Sequence, residues 1–171
     1  MLQLLTIDQF DEFFELLSES FPKEEFRPYE QQLALLEKPY YKIYVHQQNE
    51  EIMALFATWE GPDFVFIEHF AVKETYRNGG MGSKLLQAFI KEQNKAVILE
   101  SEDPETLIQK RRIEFYKRNN FILNAYGYLQ PPFVKGQSTV PLLLLSYPQP
   151  LNDTTFHSFK EWAFKHVYPA L

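Results

Sequence analysis

At 171 residues the chain is long enough to bury one proper core, and its 45% hydrophobic content, with 16 Phe and 10 Tyr, excludes a disordered polymer. A net charge of −6 argues against a nucleic-acid partner, because backbone phosphates need a basic surface. The absence of cysteine removes any disulfide framework, thiolate zinc site or cysteine nucleophile. With no basic leader and no apolar run of membrane-spanning length, the expected setting is the cytoplasm, with no membrane partner.

The elements alternate between strand and helix. Residues 2–5 read as a short strand, and Asp8 or a neighbour caps a helix whose Phe10, Phe13, Phe14 and Leu17 share one face until Pro22 stops it. A second helix is expected over residues 29–37, ended by Pro39. Residues 40–46 and 52–59 form a hairpin about the polar turn 47–51. Gly61-Pro-Asp63 then turns into the apolar strand 64–72. Simple alternation there puts Phe66, Glu68, Phe70 and Val72 on one face and Ile67, His69 and Ala71 on the other. A helix starting near Ser83 carries Leu85, Leu86, Phe89 and Ile90 on its inner face. A strand at 96–100 precedes a helix over 107–119, and two late strands, 121–129 and 141–147, flank a Pro/Gly loop. A terminal helix at 154–167 turns Phe156, Phe159, Trp162 and Phe164 inward. No repeat or linker divides the chain, so one domain is expected over 1–171, with 151–171 an added C-terminal helix.

The stretch Arg77-Asn-Gly-Gly80-Met-Gly82-Ser83 reads as strand end, glycine-rich turn and helix start in succession. Its glycines let backbone N–H groups converge without Cβ obstruction, and the helix start adds its positive dipole end, which suits a pyrophosphate. The spacing is neither a Walker loop nor a Gly-x-Gly-x-x-Gly fingerprint. Arg77-x-x-Gly80-x-Gly82 resembles instead the acetyl-CoA signature, Gln/Arg-x-x-Gly-x-Gly/Ala, of the GNAT acetyltransferase superfamily. The preceding Ile67-Glu-His-Phe-Ala-Val72 and the following Ser83-Lys-Leu-Leu86 match that family's pattern too. Phe115-Tyr116-Lys-Arg-Asn-Asn120-Phe121 resembles its second conserved helix, which usually ends aromatic-Tyr-x-x-x-Gly-Phe. Asn120 stands at the left-handed Gly position, which Asn tolerates best among other residues. Gln109 stands seven residues before the Tyr, where many relatives carry Asn.

The resemblance implies an α/β fold: a GNAT-like mixed, mostly antiparallel sheet, helices on both faces, and a splay between the fourth and fifth strands. It implies acetyl-CoA as co-substrate. Phe70, Ala71 and Val72 would hold the pantetheine like an added strand, and one of their amides could polarise the thioester carbonyl. Arg77, Asn78, Gly79, Gly80, Met81, Gly82 and Ser83 would surround the pyrophosphate, and Gln109 would reach the pantetheine arm. Tyr116 is the candidate acid for the leaving thiolate, its alternative being aromatic packing. Glu68 is the candidate base, directly or through water, with its pKa raised by an aromatic pocket. The alternative for Glu68 is a solvated or ion-paired strand carboxylate.

Other residues carry blander readings. His69 should face away from Glu68 and be structural, and His157 and His166 lack a carboxylate partner at metal-ligand spacing, so no metal is expected. Lys110-Arg-Arg112 and Lys117-Arg118 form a basic helix face, suited to the CoA 3′-phosphate or merely solvated. Glu100-Ser-Glu-Asp103 either attracts a cationic substrate or forms a polar loop with an N-cap. The expected function is direct acetyl transfer from acetyl-CoA to a primary amine on a small molecule or peptide, a homodimer being compatible. A second reading is a GNAT-like acyl-CoA-binding or sensing module without turnover, and the motif itself reads CoA rather than the acyl group.

Overall fold

Apolar runs of strand length pair into a single sheet in the computed structural model, which describes residues 1–169. Among those residues the strands are β1 (Leu2–Leu4), β2 (Tyr41–Gln48), β3 (Glu51–Glu60), β4 (Phe64–Val72), β5 (Ala96–Glu102), β6 (Ile122–Gln130) and β7 (Val140–Tyr147). Their order is β1-β2-β3-β4-β5-β7-β6, antiparallel throughout except at β4–β5. That parallel ladder runs from Phe64↔Ala96 to Ile67↔Leu99 and stops, while β4 continues to Val72 and β5 to Glu102. The splay lies where the resemblance implies it.

Helices α1 (Phe10–Ser20), α2 (Tyr29–Ala34) and α5 (Asp153–His166) cover one face, burying Phe13, Leu17, Phe66 and Phe159 against the sheet. Helices α3 (Met81–Lys91) and α4 (Leu107–Arg118) cover the other over Phe56, Ile67, Leu86 and Ile113. Each fully buried Phe or Leu contributes roughly 1.5–3 kcal/mol, so both faces of the sheet are covered by stabilising cores. At the hairpin between β2 and β3, Asn49 (φ 53°) and Glu50 (φ 64°) are both left-handed, as a two-residue type I′ turn requires. Thr6 caps the run into α1, its N–H donating to Gln9 Oε1 at 2.9 Å. Helix α3 begins at Met81 rather than near Ser83, because the left-handed Gly80 (φ 75°) already reverses the chain. Ser101 and Glu102 belong to β5, paired with Leu143 and Leu142 of β7, and not to a polar loop.

One irregularity corrects the expected alternation in β4. Ala57 of β3 faces His69 while Thr58 faces Ile67, so Glu68 is an extra residue with no partner across the ladder. Such a bulge shifts the side-chain phase by one. Glu68 and His69 therefore both lie on the side of α1 and α2, where Glu68 meets Arg27 and His69 meets Glu25. Phe70 and Val72 swing to the side of α3 and α4, and Phe70 stacks on Phe56 with ring centroids 4.3 Å apart. The ladder to β5 ends at the bulge, whose bend carries β4 away from its neighbour.

Candidate active site

The unpaired edge of β4, the turn after it and α4 enclose a cleft of about 700 Å³. Of the residues expected to hold acetyl-CoA, Phe70, Ala71, Val72, Arg77, Asn78, Gly80, Gly82 and Ser83 line it. Gly79 lies exposed outside it, and Met81 packs its side chain on the core beneath α3. Asn78 (φ 69°) and Gly80 (φ 75°) are left-handed, which aims the turn's backbone outward. The first-turn amides of Met81, Gly82 and Ser83 have no carbonyl within α3 to bond and stand at its positive end. Arg77 donates its Nε to the Val72 carbonyl at 2.8 Å, clamping the turn onto the end of β4.

This cradle fits a pyrophosphate. A Cβ on Gly79 or Gly80 would meet no atom within 4 Å, so the space above the turn is open. Arg111, Arg112 and Arg118 of α4 line the opposite wall; Lys110 and Lys117 of the same basic run do not. Gly82→Asp tests the fit. Its Cβ would sit 3.4 Å from the Phe115 ring, an ordinary contact, and a carboxylate in the first turn favours the helix. The fold should persist while CoA affinity, read by calorimetry, falls tenfold or more through repulsion of the diphosphate. Unchanged affinity would remove the cradle from the site.

Gln109 is a correction. Its Oε1 accepts the backbone N–H groups of Glu105 (2.9 Å) and Thr106 (3.0 Å), and its Nε2 donates to Glu102 at 2.6 Å. The amide is consumed in capping α4 and does not line the cleft. Thr106-x-x-Gln109 is a capping-box spacing, so the signal was present in the sequence.

Between the diverging strands lies a second, smaller cavity of about 40 Å³, lined by Glu25, Glu68, His69, Glu100 and Glu102 with Arg112 and Tyr116. Tyr116 and Arg112 line both spaces. Burial pushes the Tyr116 hydroxyl up to about 12 against the nearby Arg112, so it keeps its proton through the neutral range. Glu68 departs from expectation. Burial would raise its pKa, but Arg27 first, then His69 and Trp59, hold it below the ordinary carboxylate value. Its Oε1 accepts from Arg27 Nη1 at 3.1 Å and Trp59 Nε1 at 2.8 Å, while its buried Oε2 has no donor among the described residues. His69 donates Nε2 to the Glu25 carbonyl at 2.7 Å, which leaves its buried Nδ1 an acceptor without a partner among the described residues. Burial lowers its pKa, against Glu68, so the ring is neutral.

Glu100 has the character expected of Glu68. Burial pushes its carboxyl up to about 8, opposed by the hydroxyls of Tyr128 and Tyr168, which donate to its two oxygens. Glu25 is raised to about 9, by burial and then by Glu102. Sequence reading left Glu25 and Arg27 unmarked, since nothing local distinguishes either. Glu100 carried a signal: a carboxylate directly after the apolar Val97-Ile-Leu99.

A model of the acetyltransferase (GNAT) family matches residues 10–121, about two thirds of the chain. The chain belongs to the GNAT acetyltransferase family. Acetyl-CoA-dependent acetyl transfer is this family's general reaction. A Bacteroides thetaiotaomicron protein assigned as a GNAT-family acetyltransferase is 27% identical, with TM-score 0.89 over 100% of this chain and 99% of its own. A GNAT acetyltransferase from Elizabethkingia anophelis with acetyl-CoA bound (17% identity, TM-score 0.65, 87% and 97% covered) shares the fold. So does the ribosomal-protein-S18-alanine N-acetyltransferase of Escherichia coli (17%, 0.67, 89% and 95%). No curated protein sequence matches significantly. Among the described residues no helix is long and apolar enough to cross a membrane, and no three His, Asp or Glu side chains are arranged to hold a metal ion.

Proposed function

We propose that this GNAT chain is an N-acetyltransferase that passes the acetyl group of acetyl-CoA directly to a primary amine. The observation that carries the proposal is the junction at Tyr116, where the arginine-lined cleft meets the acidic cavity. The thioester lies there with its CoA portion along β4 and the turn. The bound ammonium first gives one proton to a carboxylate of the cavity; the neutral amine nitrogen then attacks the thioester carbonyl carbon, the C–S bond breaks, and the second proton leaves nitrogen as the departing thiolate takes one up at Tyr116. Glu100 suits that task better than Glu68, because a base with pKa near the working pH combines availability with driving force. Tyr116 donates a hydrogen bond to the departing sulfur.

Glu68 serves the acceptor in another way. Its free Oε2 and the free Nδ1 of His69 are two buried acceptors on one cavity wall, and an ammonium supplies the N–H donors both lack. A cavity of about 40 Å³ takes the amine head group alone, with the rest of the acceptor outside. Cationic acceptors are therefore expected to be preferred, with KM rising as salt screens the field. Equal turnover of neutral or anionic acceptors at low salt would reject charge selection.

The proposal as a whole is tested by acetyl-CoA-dependent thiol release across small cationic amines, amino acids and peptides with free N-termini. Turnover with at least one class is expected. Tight CoA binding with no thiol release from any class would favour the sensing module.

A further inference from the structure

Helix α5 lies outside the stretch matched by the family model, yet the two residues that follow it reach two of the cavity's carboxylates, Glu68 through Arg27 and Glu100 directly. The Val167 carbonyl accepts Nη2 of Arg27 at 2.9 Å, and Nη1 of the same guanidinium holds Glu68. The Tyr168 hydroxyl donates to Glu100 Oε1 at 2.6 Å. Tyr168 is 4% exposed, and its ring packs against Phe133, Tyr128 and Phe164, so its hydroxyl has one direction to take. The backbone N–H groups of both residues close back onto the Ala163 carbonyl, at 2.8 and 2.9 Å, which fixes where they stand.

We propose that Tyr168 is a positioning residue of the catalytic centre, whose hydroxyl orients the Glu100 carboxyl group at the cavity, making the C-terminal segment part of the active site. This rests on Glu100 as the proton acceptor. A donor to the charged form favours that form, so Tyr168 opposes the burial that would keep Glu100 protonated. The groups facing Glu100 from the elements around it are Tyr128 of β6, Glu68 and His69 of β4, and Arg27 and Glu25 from the segment between α1 and α2. Glu102 on its own strand and Arg112 and Tyr116 of α4 complete the set. Among the described residues only the two tyrosines donate to its oxygens.

The test is the pH dependence of kcat/KM for Tyr168→Phe against wild type with one acceptor, so that the amine's own ionisation is common to both. The acid limb should move up by about one pH unit, a hydrogen bond to a charged group being of that size. The variant should be about tenfold slower near pH 7 and approach wild type at high pH. Tyr128→Phe should move the limb the same way. Phe156→Leu, which loosens α5 where it stacks on Tyr126, should lower Tm and leave the limb in place. A Tyr168→Phe limb coincident with wild type, or a fall equal at every pH, overturns the positioning role. Glu100→Gln in parallel reports separately on the base. If that variant loses the limb while Tyr168→Phe does not shift it, only the positioning role fails; if it keeps the limb, the base assignment fails and takes this inference with it.

Discussion

Glu100→Gln should lower kcat by roughly 10²–10⁴-fold near pH 8, the usual contribution of a positioned general base, while acetyl-CoA still binds. The deficit should shrink above the acceptor's own pKa, where the amine arrives already deprotonated. Tyr116→Phe removes only a hydroxyl and should cost kcat roughly 10²-fold or more, again without loss of CoA binding. Stability gives an independent reading of Glu100. Its folded pKa is raised from the ordinary 4.5 to about 8, so between those values the folded chain holds a proton that the unfolded chain releases. Stability then falls as pH climbs through that window. The Gln variant lacks this cost, so its Tm should match wild type near pH 5 and exceed it near pH 9. Wild-type kcat together with an unchanged Tm difference across pH would remove Glu100 from the chemistry.

Arg27→Ala should destabilise the fold by about 3–5 kcal/mol, hence Tm by roughly 10 °C, because it strands the ionised Glu68 in the core. Arg27 is 5% exposed; its guanidinium lies 4.3 Å over the Phe133 ring and also satisfies the Val167 carbonyl. One truncation therefore removes an ion pair, a stacked cation and a donor to backbone. Replacing both partners, Arg27→Met with Glu68→Met, should recover much of the loss, since an apolar pair leaves no charge to solvate. The loss should also narrow on acidification. Glu68 has a lowered folded pKa, so its stabilising pair is present above the unfolded carboxylate value and is lost as pH falls through the folded one. An Arg27→Ala variant within about 1 kcal/mol of wild type by denaturant unfolding would show that the pair is solvated and the cavity open.

Element existence and the glycine-rich turn were legible because their causes are local. Glycines at 80 and 82 ahead of a helical apolar pattern, and Asn120 at φ 68° after Tyr116, express preferences of a few adjacent residues, and the structure places them as the sequence suggests. Boundaries moved by a few residues where a cap or a pairing partner decided them, as at Met81 and at the end of β5. Gln109 is spent on the cap of α4, where its capping-box partner Thr106 sits three residues away.

The chain by itself determined the strand and helix order, the apolar faces and the glycine-rich turn. All of these follow from propensities and periodicities within one element. Only tertiary structure decided the acid–base arrangement. The bulge at Glu68 is a property of β3 and β4 together, and a one-residue slip in pairing reverses every later side chain in β4. Arg27 meets Glu68 across 41 residues of sequence, and Tyr168 meets Glu100 across 68. Whether a carboxylate is ion-paired below its ordinary pKa or buried above it depends on which distant side chains surround it. That environment exists only once the sheet, α5 and the segment between α1 and α2 have packed together.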